Sequence, residues 1–241
     1  MVKEILIYQP SKVGSTSVFT HLMNHYNLSR SQVITCPNDN DRYPINVSHR
    51  VYHTHHETTL PNGLKRTIED LDKTVYYISM TRDPISRNIS SFFEMPHYKT
   101  KIQSMGVDNL REFFINNYKH DIALRWYEHQ MRDYIGFDLY SEKFNPELGY
   151  HLYENGNKKM LFIRAEDITE KINEGLGLLL DEKFETKLTN KNVTKKKNNK
   201  YTEFKNELKI PKEILDTLYN SKHIKHFYSD DEINQMRKKW E

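Results

Sequence analysis

The chain has 241 residues, and its 36 basic and 33 acidic side chains give a formal net charge of +3. This near balance gives no global argument for a nucleic-acid partner, so any preference for anions must come from local placement. The single cysteine, Cys36, excludes an internal disulfide and a cysteine-based metal site. We find neither a signal peptide nor an apolar run of ~20 residues, and therefore expect a cytoplasmic protein without a membrane span.

Short apolar runs bounded by turn signals predict strands at residues 4–8, 32–35, 49–55, 74–80 and 160–164. Apolar residues at helical spacing predict helices near 18–23, 85–93, 109–118, 121–134, 167–180, 211–220 and 230–240. Strands that alternate with helices predict an α/β fold, with a mostly parallel sheet covered on both faces. No linker or internal repeat interrupts the pattern, so we expect a single domain over residues 1–241.

The strongest functional signal is the loop after the first strand, Pro10-Ser11-Lys12-Val13-Gly14-Ser15-Thr16-Ser17. A glycine lets the backbone close around an anion, and the amides that open the next helix favour phosphate. Lys12 adds a flexible positive charge. The loop is not a Walker A motif, because its lysine precedes the glycine instead of following it, and this disfavours a P-loop kinase. An ordinary capped helix explains the serines and the threonine as well.

A second signal follows the clearest predicted strand, where the sequence reads Arg82-Asp83-Pro84. Arg82 at the strand's end and Ser90 two helical turns later are spaced to grip one phosphate, and Arg87 lies on the same helix. For Arg82-Asp83-Pro84 taken alone, a surface arginine beside a capping aspartate is the better interpretation.

Taken together and in this order, the two segments resemble those of the sulfotransferases that use 3′-phosphoadenosine 5′-phosphosulfate (PAPS). The resemblance implies a P-loop-like sulfotransferase-type sandwich and a transfer that leaves adenosine 3′,5′-bisphosphate (PAP). It also implies that Arg82 and Ser90 hold the 3′-phosphate. The 5′-phosphosulfate would be held by Lys12, Val13, Gly14, Ser15, Thr16 and Ser17.

The Arg-x-Glu-Asp segment at 161–168 resembles a strand-to-helix segment that is common in these sulfotransferases. Three other segments resemble the bacterial capsular polysaccharide synthesis group of the same superfamily: Trp126-Tyr127, residues 136–140 and the tail at 227–240. This resemblance implies that the acceptor is a hydroxyl of a carbohydrate, such as a capsular or other polysaccharide.

A general base is sought among the histidines, because imidazole titrates near neutral pH. Residues 51–57 read Val-Tyr-His-Thr-His-His-Glu and resemble a Tyr-His-x-His stretch of carbohydrate sulfotransferases. The resemblance implies His55 as the base, with His53 as its neighbour or substitute, and Glu57 is placed to orient a histidine. Two other interpretations of these histidines stay open: they are ordinary polar residues at a strand end, or they are metal ligands. The metal interpretation is the weaker one, because no further ligand follows at a fixed spacing. We therefore expect no metal.

The lysine-rich segment at 187–200 has no periodicity and predicts a mobile loop. The family resemblance implies that a late loop touches the 3′-phosphate, and Lys195, Lys196 and Lys197 are the candidates. Two other functions stay open. One is a nucleotide- or polyanion-binding module without catalysis, and the other is a P-loop kinase.

Overall fold

The computed structural model describes residues 3–28, 34–35, 49–54, 73–188 and 199–241. The described chain divides into two compact units. The first unit takes in the described residues up to 81 together with 126–188, and the second takes in 82–125 and 199–241. The single-domain interpretation stays a prediction.

Six strands of the first unit form one sheet over the described residues: β1 (Lys3–Tyr8), β2 (Ile34–Thr35), β3 (His49–Thr54), β4 (Val75–Thr81), β5 (Tyr150–Asn155) and β6 (Lys158–Arg164). The strand order is β2-β3-β1-β4-β6-β5. All neighbours are parallel except β5, which pairs antiparallel with β6 at the edge. The central strand β1 pairs with β3 on one side and with β4 on the other.

The helices of the described chain are α1 (Ser15–His25), α2 (Pro84–Phe92), α3 (Lys99–Ser104), α4 (Val107–Asn117), α5 (Ile122–Trp126), α6 (Ile168–Leu180), α7 (Asn199–Glu207), α8 (Lys212–Tyr219), α9 (Lys222–Phe227) and α10 (Asp230–Lys238). A 3-10 turn lies at Pro96–Tyr98 and a π-helix at Tyr127–Ile135. None of the helices in the described ranges combines the length and apolar character needed to cross a bilayer.

One face of the sheet is covered by α1 and α6. Side chains alternate across a strand, so Ile5 and Ile7 of β1 point to the same face. There they form a core with residues of both helices, among them Leu22 of α1 and Leu176 of α6, all fully buried. Burial of this apolar surface is the main favourable contribution to folding of the first unit.

The opposite face is covered by the π-helix and the residues next to it. The Tyr127 hydroxyl donates to the Met80 carbonyl at 2.7 Å, and the Tyr127 ring lies 5.9 Å from the Phe162 ring. Trp126 packs on Tyr8 with ring centroids 5.0 Å apart. Helices therefore cover both faces of a mostly parallel sheet, and the predicted α/β fold class is confirmed.

The second unit is helical and is centred on aromatic side chains. Phe92 of α2 lies 5.1 Å from Phe114 and 6.0 Å from Phe204, measured between ring centroids. Arg111 of α4 holds α7 in place, since its guanidinium donates to the Phe204 carbonyl at 3.2 Å and pairs with Glu207 at 2.9 Å. These contacts fix α7 against α2 and α4.

The structure contains elements that the sequence analysis did not predict, among them the helices α3, α7 and α9. The edge strand β5 was not predicted, and residues 127–135 form a π-helix where an α-helix was expected. A π-helix of nine residues is rare, and such turns concentrate at functional sites. Most of the predicted mobile loop, residues 189–198, lies outside the described residues.

Candidate functional site

The loop after β1 has a backbone that suits an anion. Lys12 has a φ of +73° and Gly14 has a φ of +101°, both in the left-handed region. Alternation of such conformations turns successive amide groups towards one concave side, which makes an anion-binding nest. A left-handed lysine costs on the order of 1–3 kcal/mol, and strain of this kind is typical of functional sites.

The helix that follows begins without a side-chain cap. Gly14 is the N-cap residue of α1 and offers no side chain, and the first turn of α1 contains no acidic residue. Ser15 and Ser17 are buried and Thr16 is exposed. A helix N-terminus without a carboxylate carries a partial positive charge that favours a phosphate or a sulfate group.

The loop rests on the start of α6. A β-carbon built on Gly14 would lie 3.0 Å from Cδ1 of Ile168, the first residue of α6. Val13 and Ile168 are both buried in the core that α1 and α6 form on the sheet. The position of the loop is therefore set by Ile168.

The Arg-x-Glu-Asp segment fixes the start of α6. The buried Arg164 donates from Nε to Asp167 at 2.5 Å and from Nη2 to the Pro146 carbonyl at 2.8 Å. Gly149 is packed against this pair, since a β-carbon there would lie 2.6 Å from the Asp167 carboxyl group. The sequence showed the segment only as a family resemblance, and its role here is to anchor α6 beneath the loop.

The second predicted element begins where β4 ends. Asp83 caps α2 by accepting from the Ser86 amide at 3.2 Å. The same carboxylate accepts from the Tyr219 hydroxyl at 2.7 Å and from the Trp240 indole at 3.3 Å. Asp83 is therefore a buried structural residue, and it fixes the backbone next to Arg82, which is partly exposed.

The remaining residues of α2 have separate surroundings. Ser90 is buried, and so is Arg87. Arg87 donates from Nη1 to the Tyr118 hydroxyl at 3.1 Å and to Asn88 at 3.2 Å. Arg87 thus supports the helix from inside the second unit, whereas Arg82 and Ser90 stay the candidates for phosphate binding.

The structure divides the predicted site residues as follows. Lys12 and residues 13–17 form the loop after β1 and the first turn of α1 in the first unit, and Arg82 and Ser90 belong to the second unit. His53 lies on β3 opposite Ile7 of β1, close to the end of that strand. His55 and Glu57 lie outside the described residues, as do Lys195, Lys196 and Lys197.

Lys205 has a perturbed pKa that the sequence did not signal. Burial lowers the pKa of Lys205 below its usual range, and the charges of Lys239 and Arg82 lower it further, with Asp83 acting in the opposite sense. Lys205 is in α7, and Lys239 directly follows α10. No sequence motif includes Lys205 or Lys239, because the two residues lie far apart in the chain.

A cavity of about 220 Å³ lies elsewhere in the second unit and is lined by His120, Asp121, Glu213, Ile214, Thr217 and Leu218. Burial lowers the pKa of His120, partly opposed by nearby Phe114 and Ile115 carbonyls and by Asp121. Asp121 and Glu213 line this cavity with negative charge, which does not favour an anion.

The fold is a mostly parallel α/β sheet, with a loop of left-handed backbone after its first strand. Residues 98–229 match the model of the family described as "Putative capsular polysaccharide synthesis protein". The match covers more than half of the chain, and the protein therefore belongs to this family.

Two solved structures resemble the chain at low identity. A sulfotransferase from Alicyclobacillus acidocaldarius is 9% identical with a TM-score of 0.45, and the match covers 90% of each chain. The mouse sulfotransferase SULT7A1, crystallised with PAP, is 12% identical with a TM-score of 0.40, over 84% of this chain and 62% of that one. A comparison with curated proteins found none that matches.

Proposed function

We propose that the protein is a sulfotransferase that moves a sulfonyl group from PAPS to a hydroxyl group of a carbohydrate. The observation that carries the proposal is the loop after β1, in which Lys12 and Gly14 have left-handed backbones and lead into an uncapped helix. This geometry suits the 5′-phosphosulfate, with Lys12, Val13, Gly14, Ser15, Thr16 and Ser17 around it.

The chemistry requires three tasks of the protein. The acceptor oxygen attacks the sulfur and forms a new S–O bond while the bond from sulfur to the bridging phosphate oxygen breaks. Negative charge then develops on the departing phosphate, and the Lys12 ammonium group is proposed to stabilise it. The acceptor proton passes to a base, for which we propose His55, with His53 as its neighbour or substitute.

The other end of the nucleotide is proposed to bind at the start of α2. Arg82 follows Thr81, and β4 is the parallel neighbour of β1, so the two chain segments leave the sheet at the same edge. In open α/β sheets, ligands bind beyond the carboxyl ends of strands. We assign Arg82 and Ser90 to the 3′-phosphate on this basis.

Membership of the capsular polysaccharide synthesis family supports a carbohydrate acceptor. The acceptor itself, and the cytoplasmic location, stay predictions. The test is transfer of radiolabelled sulfate from PAPS to a panel of capsular and other polysaccharides, in wild type and in Lys12→Gln. We expect labelled polysaccharide with wild type alone. Nucleotide binding without transfer to any acceptor would favour a binding module, and magnesium-dependent ATP binding would favour a kinase.

A further inference from the structure

The π-helix lies on one face of the sheet in the first unit, and both of its ends are bound to strands. At its start, the Tyr127 hydroxyl donates to the Met80 carbonyl of β4 at 2.7 Å. At its end, the Lys158 ammonium group of β6 donates to the Ile135 carbonyl at 2.9 Å. The π-helix is therefore a fixed support on the sheet.

The wide turn of the π-helix directs one polar side chain to the end of β1. In a π-helix the backbone bonds run between residues i and i+5, so residues four or five apart share a face. Tyr127, Met131 and Ile135 are buried at a spacing of four, and Gln130 is buried five residues before Ile135. In the interior of the unit, Gln130 Oε1 accepts a hydrogen bond from the Tyr8 hydroxyl at 2.5 Å.

Tyr8 is the last residue of β1, and the loop that starts at Pro10 follows two residues later. The Tyr8 ring packs on Trp126 with ring centroids 5.0 Å apart, and both Tyr8 and Gln9 are fully buried. Burial, and to a smaller extent Tyr134, raises the pKa of Tyr8, so its hydroxyl stays protonated and remains a donor. The π-helix thus fixes the residue that leads into the loop.

The loop needs support at both ends because its backbone is strained. Lys12 has a φ of +73°, which is unfavourable for a residue with a β-carbon. Such a conformation persists only where the surrounding structure over-determines it. After Lys12, Gly14 packs against Ile168. Before Lys12, the chain is held by the hydrogen bond of Tyr8 to Gln130.

We infer that the π-helix is a positioning element for the loop after β1, in which Gln130 fixes Tyr8 and so keeps Lys12 in its left-handed conformation. The inference rests on the proposed function, which assigns this loop to the 5′-phosphosulfate. Gln130 and Tyr8 act through the backbone of the loop and not by touching the nucleotide. Breaking their hydrogen bond lowers the fraction of protein with a formed loop, and the apparent Kd rises by the same factor.

Calorimetric titration with PAP tests the inference. Tyr8→Phe removes the donor and Gln130→Met removes the acceptor, and each should weaken PAP binding about 5–20-fold. The double variant should lose no more than either single variant, because both substitutions break the same hydrogen bond. The matched control is Tyr153→Phe, which removes another buried hydroxyl of the first unit, a donor to the Leu139 carbonyl at 2.8 Å. This control should lose stability as Tyr8→Phe does and should keep the wild-type affinity for PAP.

The outcomes separate this inference from the proposed function. If wild type binds PAP and both single variants bind it as tightly, the inference is wrong while the proposed function stands. Additive losses in the double variant, or an equal loss in Tyr153→Phe, also contradict it, because the effect would then not depend on this hydrogen bond. If wild type does not bind PAP, the proposed function fails and the inference with it. Unfolding curves in urea check that each variant folds, and Tyr8→Phe with its control decides alone if Gln130→Met does not.

Discussion

Gly14 and Ile168 pack so closely that a β-carbon added to the glycine would lie only 3.0 Å from Cδ1 of the isoleucine. The glycine belongs to the loop after β1, and the isoleucine is the first residue of α6. The contact couples the backbone of the proposed anion loop to α6, which lies much later in the chain. The start of α6 is anchored by the ion pair of Arg164 with Asp167.

Gly14→Ala should weaken nucleotide binding and lower stability. The alanine would meet Ile168 and would also have to keep a φ of +101°, which together cost about 1–3 kcal/mol. The matched control is Gly156→Ala in the β5–β6 turn, where φ is +60° but nothing lies within 4 Å of the added carbon. Titration with PAP should show lost affinity for the first variant only, and equal affinities would contradict the role of the contact.

Arg164→Met should lower the free energy of unfolding by about 2–4 kcal/mol. The substitution removes the ion-pair partner of the Asp167 carboxylate, which lies directly before α6. Arg164→Lys should lose less, since the charge remains while the second donor to Pro146 is lost. Urea unfolding followed by circular dichroism measures both. Two variants as stable as wild type would show that the pair does not anchor α6.

Lys12→Gln should lower kcat/KM for sulfonyl transfer by at least about 100-fold, as removal of one group that stabilises developing charge does in other enzymes. The side chain is partly exposed, so Tm should stay within about 2 °C of wild type. Kinetics with saturating acceptor and a thermal melt give both values. Transfer at the wild-type rate would exclude Lys12 from the reaction.

His55→Ala should lower the turnover number while PAP affinity stays as in wild type, because a base acts on the acceptor and not on the nucleotide. His53→Ala is the comparison, and the variant with the larger loss identifies the base. Single-turnover transfer and calorimetry supply the two readouts. If neither variant loses turnover, the base lies elsewhere and the histidine assignment is wrong.

Stability should fall as the pH is lowered below about 6.5. Burial, with a smaller effect of His226, lowers the pKa of His223 to about 3. Above pH 6.5 this histidine is neutral in both states. Below pH 6.5 the unfolded chain binds a proton at His223 that the folded protein does not bind. The free energy of unfolding therefore falls by about 1.4 kcal/mol per pH unit until the pH reaches the pKa of the folded state. His21 and His120 act in the same direction.

Urea unfolding between pH 7.5 and 5.0 measures this slope. His223→Gln should make the slope shallower by about one proton, whatever its own stability. His97→Gln, which replaces an exposed histidine, is the matched control and should keep the wild-type slope. An unchanged slope in His223→Gln would contradict the assignment.

The sequence predicted the parts of the fold that have strong periodicity. The apolar run from Val75 to Thr81 and the helix after Pro84 were found within a residue or two, because alternation, β-branching and proline at a helix start are local signals. The edge strand Tyr150–Asn155 was missed because only two of its six residues are buried, and its pairing with β6 comes from the tertiary fold.

The candidate loop could be proposed from the sequence because its signal is local, and its role in binding stays a prediction. The residues at 10–17 form one contiguous segment, so their spacing is visible in the sequence. Lys205 lies in a polar helix, and Lys239 is next to a tryptophan near the end of the chain. The helices that carry them are placed by tertiary contacts, such as Phe204 against Phe93 and the hydrogen bond from Trp240 to Asp83, and such contacts leave no pattern in the sequence.

Calorimetric titration of PAP into wild type, Lys12→Gln and Arg82→Gln tests whether both ends of the proposed nucleotide site contribute to binding. We expect wild type to bind one nucleotide per chain, and each variant to bind it about tenfold or more weakly. Wild-type protein that does not bind PAP, or variants that bind it as tightly as wild type, would contradict the proposed function.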